Sequence, residues 1–167
     1  LGASFDTPGN ARDVAIAGSL AFVADGFSGL QVIDVSNPAL PALLGSFDTA
    51  GFAQGVAVSG SLAFVADGSS GLQVVDVSNP SSPMPRGQLD TPGFAYGVAI
   101  AGSRAFVADG ADGLQLIDVS DRYGPARHAR PSGLVAQPVI GGVRLAWIAP
   151  AGPAPAGYRV YVASSPG

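Results

Sequence analysis

GSLAFVADGFSGLQVIDVSNP, Gly18–Pro38, decides the fold, because the chain writes it twice more downstream. GSLAFVADGSSGLQVVDVSNP occupies Gly60–Pro80 and GSRAFVADGADGLQLIDVSDR occupies Gly102–Arg122, a period of 42 residues. The first two copies differ only at Phe27/Ser69 and Ile33/Val75. The segments in between repeat as well: FDTPGNARDVAIA from Phe5, FDTAGFAQGVAVS from Phe47 and LDTPGFAYGVAIA from Leu89. A fixed period in this range marks an array of equivalent units, each too small to bury its apolar face without a neighbour.

Punctuation divides each unit into four short strands. In the first unit they are Val14–Ala17, closed by Gly18-Ser19; Leu20–Ala24, closed by Asp25-Gly26; Leu30–Val35, closed by Ser36-Asn37-Pro38; and Leu43–Thr49. Pro or Gly interrupts every candidate helix. The second strand, Leu-Ala-Phe-Val-Ala, is apolar on both faces, as in a sheet covered on both sides. The Ala-rich first strand suits a crowded inner end, where interior positions must be small.

These features predict an all-β fold, a partial β-propeller of three four-stranded blades over residues 1–120. The inner strands are then Val14–Ala17, Val56–Val58 and Val98–Ala101. Leu1–Thr7 reads as a fourth strand without a preceding blade. After Ser120, Asp121-Arg122 replaces the Asn-Pro of the other copies, and no fourth strand follows. Such an offset is the pattern of circular closure. Three blades are too few to surround a channel, so further blades are expected upstream of Leu1, or else a ring that forms between chains.

Composition agrees with short strands and turns. The 167 residues carry a net charge of −4 and are 47% hydrophobic but only 12% charged, about half the usual charged share. All acids are Asp and all bases Arg or His; there is no Lys or Glu, the usual helix-surface residues. The absence of Cys excludes disulfides, thiolate nucleophiles and Cys-ligated metals. The acidic balance argues against nucleic acid, and the longest apolar runs are far short of the ~20 residues of a membrane-spanning helix.

The blocks FVADGxxGLQVIDVSNP and FDTPGxA resemble the LVIVD repeat, and the likeness covers residues 1 to about 120 in three registered copies. This resemblance implies a β-propeller in a secreted or surface-displayed protein; it brings no catalytic residues. Residues 121–131 (DRYGPARHARP) read as a linker. From there, residues 132–167 resemble the opening of a fibronectin type III domain. In that likeness Leu134 and Ala136 lie on the first strand, Val143–Trp147 on the second with Trp147 as the core indole, and Tyr158–Val162 on the third. The remaining sandwich strands are expected in the full-length protein.

Nine of the twelve Asp residues occupy three repeat positions: Asp6/48/90, Asp25/67/109 and Asp34/76/118. Asp25, Asp67 and Asp109 precede Gly after a strand, which suits a tight turn. Calcium is the competing role, although each loop brings one carboxylate, apart from Asp109 with Asp112. Asp34, Asp76 and Asp118, inside an otherwise apolar strand, are expected to be buried hydrogen-bond anchors. The single histidine, His128, lies between arginines in the linker, a poor setting for a proton relay. Ser19, Ser61 and Ser103 follow Gly at turns. No catalytic residue, cofactor or metal site is therefore assigned.

Variation among near-identical repeats marks the candidate binding positions. Loops after strands two and four emerge on one face of such a sheet. There Asn10, Arg12, Phe27, Phe52, Gln54, Phe94, Tyr96 and Asp112 differ between copies while their flanks do not. Loops on a rigid scaffold carry much binding, and neutral variation of exposed loops is the competing explanation. The expected function is a non-enzymatic interaction or adhesion scaffold, extracellular or at the cell surface, that presents these loops to a protein or glycan. The alternative is part of a propeller-based enzyme or calcium-dependent binding protein whose active residues lie outside this chain.

Overall fold

The computed structural model describes residues 3–120 throughout, and the backbone of Ser132–Val139 and Gly142–Ile148. The chain divides into two compact units, Leu1–Tyr123 and Gly124–Gly167. Among the described residues there is no α-helix, and one 3₁₀ turn covers Gly110–Asp112.

The first unit is built of meandering antiparallel sheets. β1 (Asp13–Ala17), β2 (Leu20–Ala24), β3 (Leu30–Asp34) and β4 (Ala42–Phe47) form the first, paired in chain order. β5 (Gly55–Ser59), β6 (Leu62–Ala66), β7 (Leu72–Asp76) and β8 (Met84–Leu89) form the second in the same order. β9 (Gly97–Ala101), β10 (Arg104–Ala108) and β11 (Leu114–Asp118) form the third, which is three-stranded among the described residues. The sequence offers no fourth strand after Ser120, and residues 121–131, where one would follow, lie outside the described residues.

Leu1–Thr7 departs from expectation, since residues 3–12 hold no strand. A strand is made by its partner, and Phe47 is extended because it pairs with Leu30; Phe5 instead folds onto Ala21, Val23 and Ile33 of the first sheet.

Packing follows the period. Phe22, Ala24, Leu30 and Val32 of the first sheet meet Val56, Ala63, Val65 and Val75 of the second. One period on, Phe64, Ala66, Leu72 and Val74 meet Ala105, Val107 and Ile117 of the third. The second strand is therefore buried on both faces in the first two sheets, as its double-sided apolar pattern predicts. Each buried Phe or Leu side chain contributes about 1.5–3 kcal/mol relative to exposure.

In the second unit, β12 (Ser132–Val139) pairs antiparallel with β13 (Gly142–Ile148), with a register shift between Ser132 and Val135. The linker 121–131, with His128, and the strand expected at Tyr158–Val162 lie outside the described residues, as does the side chain of Trp147.

Candidate functional site

The loops joining β2–β3, β6–β7 and β10–β11 are shaped by the same bonds. In the first, the Asp25 N–H donates to the Gly29 carbonyl (2.8 Å) and Ser28 N–H donates to the Asp25 carbonyl (3.1 Å). The expected turn is present, but the Asp side chain does other work. The Asp25 carboxylate reaches back along the chain to accept from the Thr7 hydroxyl (2.7 Å) and the Gly9 N–H (2.8 Å). Asp67 accepts from Thr49 (2.6 Å) and Gly51 (2.8 Å), and Asp109 from Thr91 (2.6 Å) and Gly93 (3.0 Å). All three carboxylates are fully buried. Burial pushes the Asp67 carboxyl above the usual range, against the pull of its two hydrogen bonds.

Asp34, Asp76 and Asp118 correct the sequence expectation in the other direction. They close strands at the rim, half-buried or exposed, and accept the N–H two residues on, from Ser36 (2.8 Å), Ser78 (2.9 Å) and Ser120 (2.9 Å). The Ser36 and Ser78 hydroxyls, together with those N–H groups, hold the Asp34 and Asp76 carboxyls below the usual range. An apolar strand led to the expectation of burial; the side chain instead falls at its last residue, where the chain turns into water.

The connecting segment after β4 touches both sheets. Thr49 and Gly51 bind Asp67 of the second sheet, while Ala53 exchanges both backbone hydrogen bonds with Gly26 of the first (3.1 and 3.0 Å). Phe52 lies between these contacts. A Cβ at Gly26, whose φ is +61°, would stand 2.9 Å from the Phe52 ring, and one at Gly68 would stand 2.7 Å from Phe94. Only glycine leaves those rings their seat. Asp13 adds a further tie, its Oδ2 accepting from the Val56 N–H of β5 at 2.9 Å.

On this framework the candidate residues form two groups. The Arg12 guanidinium lies 5.7 Å over the Phe52 ring, within cation–π range, and its Nε donates to Gln54 Oε1 at 3.2 Å. Phe27 meets Phe52 edge to face at 4.6 Å and is 81% exposed. In the second group Phe94 and Tyr96 pack at 4.8 Å, with Tyr96 56% exposed. Asn10 is tied by its N–H to the Asp25 carbonyl (3.3 Å), and Asp112 lies exposed in the 3₁₀ turn. Phe52 and Phe94 thus serve the framework, whereas Arg12, Phe27 and Tyr96 turn outward.

Sequence reasoning missed the Thr partners, the Gly seats and Asp13. The first two had a signal, since Thr7/49/91 and Gly26/68 recur with the period. Asp13 had none, because Gly55 and Gly97 occupy the equivalent places. Among the described residues, no three His, Cys, Asp or Glu side chains gather as metal ligands, and no helix is long and apolar enough to cross a membrane.

Comparison with known families matches the LVIVD repeat three times, over residues 8–49, 50–91 and 92–126. No curated protein matches the chain. Among solved structures it is similar to the crystal structure of the computationally designed Ika4 protein, with a TM-score of 0.52 and 9% identity. That likeness covers 64% of this chain and 64% of the other, and at such low identity it concerns the fold alone.

Proposed function

The chain belongs to the LVIVD repeat family, and on that premise we propose that its sheets are successive blades of a β-propeller acting as a non-enzymatic interaction scaffold. The blade assignment is supported by the way the first strands come together: β5 lies against both β1 and β9. The molecule is read as part of a secreted or cell-surface multidomain protein. Its residues 132–167 are read as the start of a fibronectin type III domain, in keeping with the antiparallel β12–β13 pair.

The observation that carries the binding role is the outward group on the loop face. Arg12, Phe27 and Tyr96 are residue types favoured at contact sites, and they stand at positions that change between repeats, on loops whose Asp and Gly framework does not change. The partner class is an extracellular protein or glycan.

The test is the full chain against an immobilised glycan array and a panel of secreted matrix proteins, with the triple variant Arg12→Ala, Gln54→Ala, Tyr96→Ala alongside. The expected result is a ligand whose binding falls about tenfold or more in the variant, equivalent to about 1.4 kcal/mol, with Tm little changed. Unchanged binding, or a loss of several degrees in Tm, overturns the assignment and makes these residues structural.

A further inference from the structure

Phe27 and Arg12 both reach the ring of Phe52, at the junction between the first and second sheets. The Phe27 ring meets it edge to face at 4.6 Å, and the Arg12 guanidinium carbon lies 5.7 Å from its centre. Phe52 itself is seated against Gly26, and the adjoining Ala53 exchanges both backbone hydrogen bonds with that glycine. The platform is therefore fixed before a ligand arrives, which lowers the ordering cost of binding. The number of units in the array does not decide this exposure. Ser69, equivalent to Phe27 but with a sheet packed on either side, is exposed as well, and Gln54, equivalent to Arg12, is only half-buried.

The polar groups beside this platform are left as donors. Arg12 Nε donates to Gln54 Oε1 at 3.2 Å, and among the described residues the terminal amino groups of Arg12 have no ion pair or hydrogen bond. Asp13, next in the chain, has both carboxylate oxygens occupied, one by the Val14 N–H and one by the Val56 N–H, each at 2.9 Å. Because Gln54 spends its Oε1 on Arg12, its amide N–H₂ is the end with hydrogen bonds to give. Two planar donor groups side by side suit an acceptor, and the guanidinium fork matches a carboxylate best. Phe27 adds an open ring, 81% exposed, whose electron-rich face attracts polarised C–H bonds.

Resting on the loop-face reading above, we propose that this junction binds a glycan through a carboxylated sugar. The carboxylate meets Arg12 and Gln54, and the C–H face of the sugar lies on Phe27. A sugar gains by lying flat on an open ring, whereas an apolar peptide side chain gains by entering a pocket; Phe27 is a platform and not a pocket wall. The net charge of −4 disfavours a run of acids, so one carboxylate per recognised unit is the fit. The next junction holds Ser69, Phe94, Gln54 and Tyr96 in these places. It has neither a cation nor an aromatic ring in the place of Phe27, so the acid-binding site belongs to the first junction.

Titration of the full chain with methyl glucuronide and with the uncharged methyl glucoside, followed by NMR, tests the proposal. The variants are Arg12→Gln and Phe27→Ser, which write into the first repeat what the second carries at Gln54 and Ser69, so the fold accommodates both. The wild type is expected to prefer the glucuronide by about tenfold or more. Arg12→Gln should bring the glucuronide down to the level of the glucoside. Phe27→Ser should weaken the glucuronide by about tenfold, and Phe27→Trp should retain it, with Tm little changed in all three. Equal binding of the two sugars by the wild type overturns the proposal, as does a preference that survives Arg12→Gln or binding indifferent to Phe27→Ser. The peptide acetyl-Gly-Asp-Gly-amide offers a carboxylate without a sugar. If it binds as tightly as the glucuronide, the glycan is overturned while the loop-face reading stands. Failure of every probe overturns this proposal alone; the loop-face reading falls by its own test, unchanged partner binding in the triple variant.

Discussion

Asp67 and Thr49 are eighteen residues apart in sequence and 2.6 Å apart in space, which makes them the sharpest test of how the sheets are tied. Asp67→Ala removes an acceptor from two donors, the Thr49 hydroxyl and the Gly51 N–H. Hydrogen bonds to a charged group contribute about 1.5–3 kcal/mol each. Part of that is offset by the cost of burying the carboxylate, the cause of its raised pKa. The net loss is therefore about 2–4 kcal/mol, or about 5–15 °C in Tm for a chain of this size. Thr49→Val, which keeps the shape, removes one bond and should cost about 1.5–2 kcal/mol. In the double variant no orphaned hydroxyl remains, so the two losses should fall short of their sum by about 1.5 kcal/mol. Urea unfolding of the four proteins at neutral pH, followed by circular dichroism, supplies the cycle. If Asp67 were only a turn residue, the losses would add. Additive losses, or less than about 1 kcal/mol for Asp67→Ala, refute the clamp.

Gly68→Ala should destabilise more than Gly60→Ala in the same assay. Both positions have positive φ (+60° and +58°), but a Cβ at Gly68 meets Phe94 whereas one at Gly60 meets nothing within 4 Å; equal losses would show that the ring moves freely aside. For pH, Asp34 and Asp76 have carboxyls lowered from 3.8, so their stabilisation is complete above that value and is lost as pH falls through their folded-state values. Asp67 is raised, so its contribution favours the folded state at low pH and declines as pH rises above 3.8 toward its folded-state value. Melting scans from about pH 5 to about pH 2 should show the acid-side loss diminished in Asp34→Asn, Asp76→Asn; an unchanged slope shows that other carboxylates govern acid unfolding.

The strand order was legible because Gly, Pro and Asp-Gly interrupt the chain at a constant interval, and the doubly buried second strand because Leu-Ala-Phe-Val-Ala has no polar side. What escaped was long-range. An Asp before a Gly is satisfied locally in most turns, and nothing near Asp67 signals that its partners stand sixteen and eighteen residues earlier. Phe52 and Phe94 read as contact residues because loop aromatics often are; the seat is visible only once Gly26 and Gly68 are placed beneath them. Of the loop-face group, the variable positions could be picked out from the repeats, but the bond from Arg12 to Gln54 depends on two sheets lying side by side.

The segment that follows β4 grips the sheet behind it through Ala53 and Phe52 and the sheet ahead through Thr49 and Gly51. Every part of that clasp recurs at the same offset, so a stretch of DNA encoding one whole period carries both halves of its own joint. Tandem duplication or deletion of such a stretch lengthens or shortens the array and leaves every remaining joint matched, wherever within the period the breakpoint falls. A change of any other length puts Thr and Asp out of phase and leaves a buried carboxylate without its donors, a fault costly enough for selection to remove. The array is therefore free to change in number of units and restrained in the length of each, as the constant period of 42 residues shows.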